Sequence, residues 1–467
     1  MDGEYQFFKR QDPNSQQSTT KKDLLPDQWS SFLIRKIKSF QKTKDLQLFS
    51  LFKYWFIALE NDPSVSFDFV YSTPLISILE FHLLHYQDFQ KMDPLLNILQ
   101  IISVLTSFNT PKTPFFSTPE LLQIYLKLLS NENQDVVKFI LIILSQLLFK
   151  EPELLSFYHS VNLSSMLLTD FLNSDNESIS GVSVFFLFEI ALFDQEKANH
   201  IFQTLFNLAI NDSKKMHIKV VSTIFNSLLF FSSNSPQYLS AIISNNFCGL
   251  CNQMLALIPE MLAHITTSEI NDKTILINKI NDIAISIFSI LLLIISNKDG
   301  LENFISLNII GIVSEFNYIN PTQNRELLLL VMNLFTKLIT LCDININQQI
   351  ISNDIIKKCC ICASKSEHLP SMGAIEFISA ILLSKNKDLC LNLEKNDGIQ
   401  IIFDKFESFD EKMALIAIQS FLSFLSVCPD SKQTFLTLDL DKFADEIDKF
   451  HDDDITDQGY LLISSIQ

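Results

Sequence analysis

Glycine is scarce in this chain: eight residues in 467. Tight turns between strands and close backbone approaches to a ligand draw on glycine. The scarcity therefore argues against a strand-rich fold and against a dinucleotide-binding sheet. The glycines are scattered, and the chain contains neither a G-x-G-x-x-G run nor a phosphate-cradling loop. G-x-S-x-G, H-E-x-x-H and a kinase-like motif set are missing too. Positive charge is short as well. Thirty-five Lys and Arg stand against 53 Asp and Glu, a net charge of −18, whereas a nucleic-acid binder needs a cationic surface to displace counterions from phosphates. The densest basic run, "RKIKSFQKTK" (Arg35 to Lys44), reads as a solvated helix face. Long hydrophobic runs are also lacking. The most apolar stretch, "IAISIFSILLLII", covers only Ile283 to Ile295 between Asp282 and Lys298. A membrane span needs about 20 residues, so a buried helix and no membrane association are expected. The opening residues, "MDGEYQFFKRQDPNSQQSTTKKD", lack the apolar core of an export signal. The cytoplasm or the nucleus is the expected compartment, where the eight Cys would be thiols.

What the chain does have is apolar helix. Apolar residues make up 47 %, which excludes wholesale disorder, and the length exceeds what one compact core usually fills. Helical periodicity runs almost end to end, as in "DVVKFILIILSQLLF", "SISGVSVFFLFEIALF", "RELLLLVMNLFTKLI" and "KMALIAIQSFLSFL". Several of these helices are apolar nearly all round and must be covered on most sides. Helix starts are marked by Thr118–Pro119 and Asp93–Pro94. Short polar breaks, "NENQD", "NSDNE", "NDSKK" and "NKDG", recur between the helices.

The breaks form a repeat. "LLSNENQDVV" aligns with "FLNSDNESIS", Leu129 on Leu172 and Val136 on Ile179. A second register is set by turns that pair Asn, Asp or Gly with an apolar residue: Asn162–Leu163, Asn246–Phe247, Asn308–Ile309, Asp354–Ile355 and Gly398–Ile399. These residue types tolerate the left-handed backbone that ends one helix and turns into the next. The spacing gives a unit of about 42 residues, with an insertion around 259–273. A short helix, a second helix and a long apolar third helix in such a unit resemble the armadillo repeat, with HEAT-type repeats in the same period range. The resemblance implies an all-α, armadillo-like right-handed α-solenoid of about seven or more helical repeats. The expected organisation is a disordered polar tail over 1–25, N-terminal helical layers over 26–116, repeats over 117–450, and an acidic segment with a C-terminal helix over 451–467.

"NDIIKKCCICASKSEH" and "CGLC" raise zinc or thiol chemistry. Counting four residues on from the apolar residue of each turn gives Leu167, Cys251, Val313, Cys359 and Phe403. Cys251 and Cys359 thus occupy a core-facing slot, where free Cys behaves as a small hydrophobe. In a solenoid the two pairs would stand two repeats apart, on the order of 20 Å, too far for one zinc with bonds of about 2.3 Å. A local set of Cys359, Cys362 and His368 is one ligand short. His82 and His85 lack a third ligand, and "HDDDITD" (His451 to Asp457) lacks the glycine and terminal Glu of a calcium loop. No metal, cofactor or catalytic residue is expected.

What remains is a surface. In armadillo proteins the third helices line a concave groove that binds extended peptides, and an Asn on that helix pairs with the partner's backbone. The matching positions are Gln146, Glu189, Asn226, Ser289, Asn333, Ser379 and Ser423. Each is polar in an apolar setting, and such a residue costs stability unless it is paired or reaches solvent. It serves either a solvent-lined groove or bonds to neighbouring helix carbonyls. The importin-α-like subset also needs a Trp beside each Asn, but Trp29 and Trp55 both lie outside the repeats. The expected function is a non-catalytic protein–protein interaction scaffold or adaptor that binds a peptide or helix. An acidic array favours basic partners. The alternatives are a regulatory subunit docking through its convex face or acidic C-terminal segment, and a thiol or zinc protein using Cys359 to Cys362.

Overall fold

The computed structural model describes residues 26–43, 45–53, 70, 73–107, 116–212, 216–245, 247–267, 273–320, 324–341 and 344–466. The expected tail over 1–25, the turn at Asn246, Trp55 and Cys342 lie outside them. Among the described residues there is no strand. The chain forms two compact units. Unit 1 is Met1–Ser227 with Asn271–Leu276, and unit 2 is Leu228–Ile270 with Ile277–Gln467.

Unit 1 contains α1 (Pro26–Thr43), α2 (Leu75–Leu84), α3 (Asp93–Ser107), α4 (Pro119–Leu128), α5 (Gln134–Lys150), α6 (Leu154–Ser160), α7 (Leu163–Met166), α8 (Glu177–Phe193), α9 (Gln195–Asp212) and the start of α10 (Ile218–Asn234). The long helix α5 packs between α3 and α8. The polar breaks start these helices. The Asn133 side chain accepts from the backbone N–H groups of Asp135 and Val136 at 2.9 and 3.4 Å, and Asn176 does the same for Ser178 and Ile179. A cap of this kind satisfies N–H groups that the first turn leaves without partners and contributes about 1 kcal/mol. Phe186 and Tyr158, both fully buried, meet edge to face at 5.7 Å in the core between α6 and α8.

Unit 2 continues with α11 (Pro236–Ser244), α12 (Phe247–Thr267), α13 (Lys273–Ile294), α14 (Lys298–Ser306), α15 (Ile309–Glu315), α16 (Arg325–Thr340), α17 (Ile344–Ser352), α18 (Ile355–Lys365), α19 (His368–Leu383), α20 (Lys387–Glu394), α21 (Gly398–Lys405), α22 (Glu411–Val427), α23 (Lys432–Leu436), α24 (Leu440–Ile447) and α25 (Asp453–Ile466). The pattern short, second, long repeats from α11 to α25. The third helices α16, α19, α22 and α25 pack each on the next. The C-terminal helix is thus the third helix of a last triplet.

The turns follow the expected chemistry with two corrections. Asn162 and Asp354 take left-handed backbone, each with φ of 55°. Asn308 does not, at φ −82°. Near Gly398 the left-handed residue is Asp397, at φ 59°. Gly398 serves a different purpose: a Cβ there would stand 2.3 Å from Leu393 Cδ1, so glycine lets the two helices approach. The register therefore starts one residue earlier in this repeat. The core slot is Ile402, fully buried, and Phe403 is only half-buried. In the other repeats Leu167, Cys251, Val313 and Cys359 fill the slot, all with zero exposure.

Two further expectations change. Of the insertion, residues 268–272 lie outside the described part. Its start continues α12 through Pro259, so that α12 and α13 reach 21 and 22 residues. The length argument against a membrane span also fails. By length and composition α13 could cross a membrane, because the helix continues well N-terminal of the uninterrupted apolar run. Half of its most apolar window is nonetheless buried inside the protein. Ile283, Ile287, Ile290, Leu291 and Ile294 face other helices. Buried Lys279 pairs with Asp282 one turn on, at 3.2 Å.

Candidate functional site

In unit 1 the members of the series are Gln146 on α5, Glu189 on α8 and Asn226 on α10. Gln146 is half-buried on α5, and its Oε1 accepts from Thr106 Oγ1 on α3. Glu189, 1 % exposed on α8, is reached by Ser145 Oγ of α5, which donates to Oε2. Glu189 Oε1 is buried with no hydrogen-bond partner among the described residues. Burial pushes the Glu189 carboxyl well above the usual carboxylate range, and the Ser145 bond offsets this only in part. Burial thus favours the protonated carboxyl. The Tyr158 hydroxyl, donating to the Leu144 carbonyl at 2.8 Å, is pushed up by burial and then by the nearby Glu189. Asn226 is half-buried on α10.

In unit 2 the members are Ser289, Asn333, Ser379 and Ser423. Ser423 Oγ, half-buried on α22, donates to the Leu382 carbonyl of α19 at 2.9 Å. Ser379 is 1 % exposed; its own carbonyl accepts from Ser420 at 3.3 Å, and its Oγ is buried without a partner among the described residues. Ser289 and Asn333 are half-buried. Asn333 sits at the middle of α16, between half-buried Leu329 and Leu330 on one side and Thr336 on the other. Its amide makes no hydrogen bond among the described residues. Glu189 and Ser379 are shut away from any ligand by their burial. Gln146 and Ser423 are half open but bonded to the preceding long helix. Asn226, Ser289 and Asn333 are half-buried members of the series.

Other ties were not foreseen. Lys337 Nζ on α16 donates to the Leu292 carbonyl at 3.2 Å and to Ser296 Oγ. Lys358 on α18 donates to Ser314 Oγ at 2.7 Å, and Ser314 donates to the Asn353 carbonyl at 2.6 Å. Partners such as Ser145 and Glu189, or Ser420 and Ser379, stand 44 and 41 residues apart. The repeat period was thus the one signal in the sequence that could have paired them.

The described cysteines are core residues. Seven free thiols are buried. Burial pushes Cys248 and Cys362 up to about 11 and Cys360 to about 12, and raises Cys251 and Cys359 well above the ordinary thiol value. A nucleophilic cysteine needs the opposite shift. Cys359 Sγ rests 3.6 Å from Met332 Sδ, a packing contact between α18 and α16. Among the described residues no three His, Cys, Asp or Glu are placed to hold a metal ion.

No protein-family model matches the chain, and no curated protein matches it. Solved structures do. The crystal structure of an engineered protein, a Northeast Structural Genomics Consortium target, has a TM-score of 0.55 at 11 % identity, over 84 % of this chain and 91 % of that one. A designed armadillo repeat protein gives 0.42 at 8 % identity, over 56 % and 98 %. A chain from a study of a phosphorylation switch controlling the interaction between cadherin and beta-catenin gives 0.49 at 13 % identity, over 95 % and 80 %. The fold itself is carried by the triplets of short, second and long helix, joined by left-handed turns at Asn162, Asp354 and Asp397. The chain is an all-α solenoid with an armadillo-like helical-repeat fold.

Proposed function

We propose that the protein is a non-catalytic interaction scaffold that binds a peptide or helix along the face of its third helices. The observation that carries this reading is Asn333. A primary amide, donor and acceptor at once, stands half-open in the middle of an apolar third helix with its hydrogen-bonding capacity unspent among the described residues. A backbone amide of an extended partner is the group that such a side chain matches. Ser289 and Asn226 hold the related positions on α13 and α10. The net charge of −18 supports basic partners over nucleic acid or an anionic membrane. Thiols packed as core residues suit a reducing compartment, so we place the protein in the cytoplasm or the nucleus.

The test is affinity capture from native lysate with mass spectrometry, wild type beside Asn226→Ala/Asn333→Ala. The reading expects a partner that is lost from the double variant while helicity is unchanged. A partner that persists in full would move binding off the third helices.

A further inference from the structure

A cleft of about 260 Å³ lies in unit 2 between two successive second helices, α21 and α24, and uses no residue of a third helix. Its size falls below the roughly 300–1,000 Å³ typical of small-molecule sites, so one inserted side chain fits it better than a cofactor does. The floor is aromatic. Phe403 and Phe443 stack at 5.0 Å with their planes 24° apart. Phe443 is buried, and Phe403 keeps part of its surface open. This is the half-open ring left by the one-residue shift of register at Asp397. The walls are acidic: Asp404, Glu407, Asp439 and Glu446 line the cleft against a single cation, Lys442. Lys442 is held at 3.2 Å by Glu407.

We propose that this cleft is a docking site for an arginine side chain of a basic peptide. An aromatic floor and an anionic rim are the two surfaces that a guanidinium uses together. Its plane lies on a ring by cation–π attraction, and its fork takes carboxylate oxygens. Charge complementarity chooses the occupant: Lys442 pairs with Glu407 and Lys449 with Glu446 at 2.6 Å, and Asp404 and Asp439 leave the rim net negative. A lysine would find the charge but not the planar match. The Lys442–Glu407 pair is exposed on both sides, more than half for each side chain, so an incoming guanidinium displaces it at small cost.

The experiment measures fluorescence anisotropy of labelled tetra-arginine and tetra-lysine peptides at physiological salt. The arginine peptide should bind about fivefold tighter than the lysine peptide. Asp404→Asn/Glu446→Gln should weaken it by about tenfold, while Asp454→Asn/Asp457→Asn, with the same charge removed from α25, should change it less than about twofold. Lys442→Gln should tighten it, a gain that a folding defect cannot produce. No binding, equal weakening by the two carboxylate pairs, or no gain from Lys442→Gln would each overturn the proposal. So would loss of binding in Asn333→Ala, which would instead leave the third-helix reading standing.

Discussion

Both units tie long helices to the ones before them, but with different groups. In unit 1 the ties run from side chain to side chain: Thr106 to Gln146, Ser145 to Glu189. In unit 2 they run largely to backbone: Ser420 to the Ser379 carbonyl, Ser423 to Leu382, Lys337 to Leu292. A carbonyl acceptor is supplied by every residue, so a tie of the second kind constrains one position. A tie of the first kind constrains two. It also places a titratable group, Glu189, inside the core, where burial favours the protonated form. The lesson is that the same polar position carries a titratable group, Glu189, in unit 1 and neutral Ser or Asn side chains in unit 2.

The comparison can be broken in several ways, the largest first. Phe186→Ala in unit 1 and Phe377→Ala in unit 2, both fully buried, should each destabilise by about 3–5 kcal/mol in urea unfolding. A large gap between them would mean that the two cores differ in packing as well as in polar chemistry. Glu189 then sets the pH response. The unfolded carboxyl titrates near 4.5, whereas the folded one holds its proton to a much higher pH. Its contribution to stability is therefore full below pH 4.5 and declines as pH rises toward the folded pKa, by at most about 1.4 kcal/mol per pH unit. Glu189→Gln should remove that slope and make unit 1 more stable at neutral pH, read by hydrogen exchange of its peptides. An unchanged slope would show that another group controls it. Cys251→Val and Cys359→Val exchange one small buried hydrophobe for another and should cost no more than about 1.5 kcal/mol. Both thiols should resist alkylation until the protein is unfolded. Smallest of all, Ser423→Ala should cost about 1 kcal/mol with no pH dependence, since it removes a neutral hydroxyl-to-carbonyl bond.

The helical class, the repeat length and most turn positions were legible because each is a local property. Apolar periodicity, an Asn or Asp before a helix, and a recurring break are all written in consecutive residues. The shift at Asp397 was not legible. Asn-Asp-Gly offers three residues able to take left-handed backbone, and the choice of Asp397 goes with the close approach of Gly398 to Leu393, a tertiary fact. Glu189 shows the other limit. Its place in the series was visible, but its burial depends on the helices on either side of it. The α13 run misled for a third reason, because counting uninterrupted apolar residues ignores that Lys279 and Asp282 neutralise each other within the helix.

The ties in unit 2 span neighbouring triplets only, and this has a mechanical consequence. Pulled from its C-terminus, unit 2 should give way one triplet at a time, because loss of α25 removes a neighbour from α22 but breaks no bond of α19. Each step would release about 42 residues, or roughly 140 Å of contour length at about 3.3–3.6 Å per residue. A force–extension trace of this unit would then be a staircase, with a tread set by the repeat.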